Sequence, residues 1–174
     1  MKKTLILALV LVSVLSIAGA SFAAEPILMG KADYAAHGTR CFTVAVVALQ
    51  GDVIVGAYLD EYQMLPRAET VGVPNSDLDF GNAFANPDQA LASKKLNSEY
   101  YSNNMAKAGS TVTIADNFTA LEQFVVGMTV AELEAFVTAN DKEATVDMVT
   151  GATLVDNHGY LSAFLAAAQD ALNN

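Results

Sequence analysis

The chain has 174 residues, a length that suits one domain, and 53% of them are hydrophobic, enough for an ordinary apolar core. Nineteen acidic residues outnumber nine Lys and Arg, giving a formal charge of −10; nucleic acid and anionic membrane surfaces are bound through clustered Lys and Arg, so neither is expected as a partner. Cys41 is the only cysteine, which excludes a disulfide within the chain.

The chain opens with Lys2 and Lys3, continues through an apolar stretch over residues 5–17, and reaches the small residues Ser21 and Ala23. That is the layout of a secretory signal peptide covering residues 1–23, with cleavage near Ala23. The apolar stretch is shorter than the roughly 20 residues a membrane span needs, and no second run of that length follows. The mature part, residues 24–174, is therefore expected to be one extracytoplasmic domain, periplasmic or secreted, with seven basic against nineteen acidic residues once Lys2 and Lys3 are removed.

Residues 41–49, CFTVAVVAL, are rich in Val, Phe and Thr with apolar side chains on both alternating faces, which predicts a strand covered on both sides. A turn at Gln50, Gly51 and Asp52 leads to a second strand over residues 53–63, and the pair reads as a hairpin. Residues 64–97 hold Pro66, Pro74 and Pro87 among few apolar residues and predict an irregular excursion. Helical spacing returns at Phe118, Leu121, Phe124 and Val125, ending at Gly127. Thr129 and Glu132 form the T-x-x-E signature of a capping box ahead of a further helix. Residues 144–149 predict a short strand, and Leu161, Phe164, Leu165, Ala168 and Leu172 predict a final helix over about 156–172. The predicted fold class is α+β: a small antiparallel sheet, made of the N-terminal hairpin and the short later strand, packed with helices.

The segment joining that strand to the final helix, TGAT at residues 150–153, has a structural reading. Gly151 relieves the backbone at a turn, and Thr153 with Asp156 supplies a second capping box. One cap needs only one threonine, however, and small neighbours beside a helix N-terminus also suit a hydroxyl that carries an anionic group. His37, next to Gly38, reads as part of a turn, and His158 as a solvent-facing residue of the first helical turn. Asp156 and His158 lack the i, i+4 spacing of paired ligands, and no His or Cys cluster is visible along the sequence, so no metal is expected. Cys41 reads as a small buried hydrophobe, and the Asp60 and Glu61 pair as a solvated rim.

The stretch DMVTGAT, residues 147–153, resembles the D-x-x-[ST]-G-A-T motif of the FMN-binding domain family, covalently flavinylated extracytoplasmic domains of the kind found in the bacterial sodium-pumping NADH:quinone reductase. Residues 120–137 resemble the helix-G-x-T-x-x-E-helix segment that precedes the motif in that family, and VAVVALQGDVIVGAYLDE resembles its early strand-turn-strand. Met148 departs from the pattern, standing where a small residue is usual. The resemblance implies FMN esterified through its phosphate to Thr153 by a flavin transferase, with Asp147 in the segment the transferase recognises and Thr150, Gly151 and Ala152 shaping the turn. It implies an electron carrier between a membrane-bound donor and an extracytoplasmic acceptor. Tyr100 and Tyr101, an aromatic pair near a helix start, read as core residues, with stacking on a flavin ring as the alternative. A flavin-free binding module of the same fold and a small flavin reductase are the alternatives.

Overall fold

The computed structural model describes residues 25–38, 41–74, 86–146 and 148–174. The predicted leader, Asp147 and the middle of the predicted excursion, residues 75–85, lie outside them. The described residues form a four-stranded antiparallel sheet in the order β1 (Ile27–Tyr34), β2 (Cys41–Gln50), β3 (Val53–Pro66) and β4 (Gln89–Ser93). They also form five helices: α1 (Ser98–Lys107), α2 (Ile114–Val125), α3 (Val130–Ala139), α4 (Lys142–Thr145) and α5 (Asn157–Asn173). Among them no helix is long and apolar enough to cross a membrane.

The helices cover one face of the sheet. On β2 the alternation sends Thr43, Ala45, Val47 and Leu49 inward, where they are fully buried, and leaves Val44, Val46 and Ala48 half-buried on the other face. This corrects the expectation that β2 is covered on both sides. Its outer face is shielded by neighbouring side chains such as Tyr62, stacked on Phe42 at 5.4 Å between ring centroids. Against the inner face pack Phe118, Leu121 and Val125 of α2 and Leu161, Phe164 and Ala168 of α5.

The β2–β3 hairpin forms as the sequence predicts, with a register shift at Ala48 and Leu49. Two strands extend it beyond expectation. β1 pairs with β2 through all eight of its residues, and β4 pairs with the end of β3, so the sheet reaches into both ends of the predicted excursion. The turn between α2 and α3 closes on the top of β3: Gly127 donates to the Ile54 carbonyl at 2.8 Å, Ile54 donates to Met128 at 2.9 Å and Val130 donates to Asp52 at 2.9 Å. The capping box of α3 is present in full, Glu132 N–H donating to Thr129 Oγ1 and Thr129 N–H to Glu132 Oε2.

The predicted strand over residues 144–149 is absent from the described residues. Asp141 instead accepts the Ala144 N–H at 2.9 Å and starts the single turn α4, and turns and a bend follow at Val146, Met148 and Val149. A β-branched run this short, with no strand beside it, has nothing to pair with, and a local cap decides its conformation.

Candidate functional site

The turn over residues 149–153 is built by burying every third side chain. Val149 and Ala152 point into the core, while Thr150, Gly151 and Thr153 are exposed. Ala152 N–H donates to the Val149 carbonyl at 3.0 Å. Gly151 has φ +88°, a conformation that L side chains rarely adopt, and a Cβ there would also crowd Ala120. Two buried asparagines fix the backbone on either side. Asn117, in the first turn of α2, accepts the Thr153 N–H at 2.6 Å and donates to the Thr113 carbonyl at 2.8 Å. Asn157, in the first turn of α5, donates to the carbonyls of Ala152 at 3.1 Å and Thr145 at 3.3 Å.

The second capping box predicted from Thr153 and Asp156 does not form. α5 begins at Asn157 with Asp156 in the cap position and no side-chain cap bond, because the Asp156 carboxylate is engaged by Lys142 at 2.6 Å and faces His37 at 3.5 Å. The Thr153 hydroxyl is left with no hydrogen-bond partner among the described residues. Met148 is exposed. His158 is half-buried rather than solvent-facing, its Nε2 lying 3.2 Å from the Val137 carbonyl and tying α5 to α3.

Beside the turn lies a charged cluster that the sequence did not disclose. Glu61, read as a rim residue, is fully buried on the inner face of β3. Its Oε1 accepts from Thr43 at 3.0 Å; its Oε2 accepts from Tyr160 at 2.9 Å and from the buried Lys94 ammonium. Asp60, on the opposite face, is buried as well and accepts the Glu61 and Lys95 N–H groups and the Ser93 hydroxyl. Burial alone would push the Glu61 carboxyl up, but the His37 ring 3.7 Å away, the charge and hydrogen bond of Lys94 and the hydrogen bond from Tyr160 outweigh it and hold the group down at about 2. Burial and the Glu61 charge push the Tyr160 phenol far up and the Cys41 thiol to about 12, so both stay protonated. His37, exposed at the β1–β2 turn, brings Nδ1 within 3.1 Å of Lys94 Nζ and Nε2 within 3.5 Å of Asp156. Ligand atoms of His37, Cys41 and Glu61 lie within 4.8 Å of one another. The Lys94 ammonium already supplies the positive charge among them.

A groove of about 410 Å3 opens next to this cluster, between α1 and the end of β3. Gln63, Met64, Tyr100, Tyr101 and Met105 line it. Tyr101 turns its ring face to Lys94 Nζ, 4.4 Å from the centroid, so the groove and the cluster share a wall. Turn, cluster and groove are thus neighbours at one end of the sheet, whereas Asp147 lies outside the described residues. Comparison of the chain with protein-family profiles, curated proteins and solved structures gives no match.

Proposed function

We propose that this chain is an extracytoplasmic flavoprotein electron carrier of the FMN-binding domain type, with FMN held through a phosphoester on Thr153. The observation that carries the reading is the state of that threonine: an exposed side chain on a backbone held from both flanks, with a hydroxyl not spent on capping α5. The residues fit a phosphate ester there. Thr150 and Gly151 leave room around the hydroxyl, and the start of α5, where no side chain caps the helix, follows within four residues. The flavin supplies the electron-transfer chemistry when bound. Asn117 and Asn157 fix the turn that a flavin transferase has to read, Gly151 lets it fold, and Ala152 anchors it in the core.

The partners on this reading are a flavin transferase, a membrane-bound electron donor and an extracytoplasmic acceptor. Coexpression with a transferase, followed by a denaturing gel, is expected to give a fluorescent band and an intact mass raised by one FMN. Thr153→Val is expected to lose both. A dark band, an unmodified mass and a colourless native protein together would rule out the flavoprotein and leave a flavin-free binding module. Steady turnover of a soluble acceptor would instead make the protein a small flavin reductase.

A further inference from the structure

We infer that the face of the sheet turned away from the helices is the interface of a homodimer, in which two copies stack sheet against sheet about a two-fold axis. The dimer does not depend on the flavin reading. An antiparallel sheet with helices on one face usually alternates apolar and polar residues along its strands, so that the other face meets water. β2 departs from this, for its outward residues are Phe42, Val44, Val46 and Ala48. Met29 of β1 and Tyr58 of β3 lie on the same face, exposed like Phe42, and no helix among the described residues covers them. A contiguous apolar patch with polar residues at its margin marks an interaction surface.

Charge favours a second copy as the occupant. The chain carries −10 overall, yet the charges around this face are paired within the chain. Lys31 bonds Asp33 at 2.8 Å, Lys95 pairs with Glu122, and buried Asp60 accepts from the Ser93 hydroxyl and two backbone N–H groups. A charged partner would be drawn to the acidic remainder of the surface, whereas an apolar face with a neutral rim suits another of the same kind.

The register supplies the fit. Across the strands the outward residues form rows: Met29, Ala48 and Gly56; then Lys31, Val46 and Tyr58; then Asp33, Val44 and Asp60; then Phe42 and Tyr62. A two-fold axis running across the strands, between the second and third rows, reverses the order of the rows in the facing copy. It sets Lys31 opposite Asp33, Val46 opposite Val44, and the stacked Phe42 and Tyr62 rings opposite Ala48 and Gly56, the smallest residues of the face. Charge meets opposite charge and bulk meets a gap, as an isologous contact requires. Aligned sheets cross at about 30°, so the match is closest at the centre, where Val44 and Val46 lie.

Sedimentation equilibrium of the purified protein over a concentration series, at low and at high salt, tests the dimer. The mass is expected to rise from one chain to two with concentration, and added salt is expected to tighten the association by screening the repulsion between two acidic molecules. Val46→Glu places a carboxylate in the interface and should raise the dissociation constant about tenfold or more, with an unchanged circular dichroism spectrum. Asp33→Lys lowers the net charge, which alone would tighten a dimer, but sets lysine opposite Lys31 and should weaken it severalfold. Adding Lys31→Asp to that variant should restore the original affinity. A monomer at every concentration and salt would overturn the interface, as would a dimer that neither Val46→Glu nor Asp33→Lys weakens, or one that added salt dissolves. Should Val46→Glu fail to fold, Asp33→Lys, at an exposed side chain, decides.

Discussion

At Glu61 two carboxylate oxygens take three side-chain hydrogen bonds in a place closed to water. A carboxyl held at about 2 when folded and 4.5 when unfolded stabilises the fold by about 3 kcal/mol above the unfolded value. The folded state binds its proton less readily, so this contribution is full above 4.5 and disappears as pH falls to about 2. Lys94 has the opposite sense: burial would lower its ammonium, the Glu61 charge outweighs that and raises it, and its contribution is lost only as pH rises past 10.5 through the folded value. Glu61→Gln strands Lys94 as an uncompensated buried cation and is expected to cost about 3–5 kcal/mol near neutrality. Urea unfolding of both proteins across the acid range checks this; the gap between them should shrink below 4.5, and a constant gap would contradict the assignment. The inward position of Glu61 was legible in principle, since alternation from Leu59 carries it to the core face. Its charge argued for the rim, and its partner Lys94 arrives from 33 positions away, across a connection no local pattern describes. Thr153 was legible as a motif residue, whereas the two asparagines that hold its turn carry no sequence signal at all.

Among the elements, those with their own start and stop signals could be read directly. α2, α3 and α5 follow helical spacing, and the Thr129 capping box, worth about 1 kcal/mol, forms as spelled. β1 and β4 were missed because neighbours make them strands. ILMGKADY has a glycine and two charges in eight residues, and QALAS has only five residues. β1 is nevertheless essential to the packing, for Gly30 lies directly beneath α5. A Cβ at that position would fall on the Ala167 carbonyl oxygen and the Ala171 amide nitrogen, which are helix backbone and cannot rotate aside. The small residues Ala167, Ala168 and Ala171 complete this close approach from the helix side. Gly30→Ala is therefore expected to push α5 off the sheet and cost about 1–3 kcal/mol or more, measured as a lower urea midpoint. A midpoint equal to that of the unaltered protein would mean that the helix does not lie this close. Asp141 shows the opposite balance, a single cap overriding the strand propensity of the residues after it.

For the molecule as a whole, the antiparallel sheet with helices on one face follows the coarse layout legible in the sequence, and the topology concentrates polar machinery at one end of it. The start of α5, the start of α2, the β1–β2 turn and the end of β3 meet there, bringing together the Thr153 turn, the Glu61 and Lys94 cluster and the groove beside Gln63. That convergence depends on contacts between residues as far apart as Glu61 and Tyr160, 99 positions in sequence, so only folding reveals it. Around it the net charge is strongly negative, 19 acidic against 9 basic residues in the chain. Such a field attracts cations and repels anions over about 10 Å at 0.1 M salt, and is screened as salt rises. On the flavin reading, a reduced flavin at this end should lose electrons to a small cationic metal complex at a rate that falls with added salt. Its oxidation by an anionic complex of similar potential should speed up, because screening removes repulsion. Stopped-flow bleaching and recovery of the flavin band across a salt series gives both slopes. Slopes of the same sign would show that local groups, rather than the overall charge, govern approach to the flavin, and a basic docking face on the physiological partner would then lose its rationale.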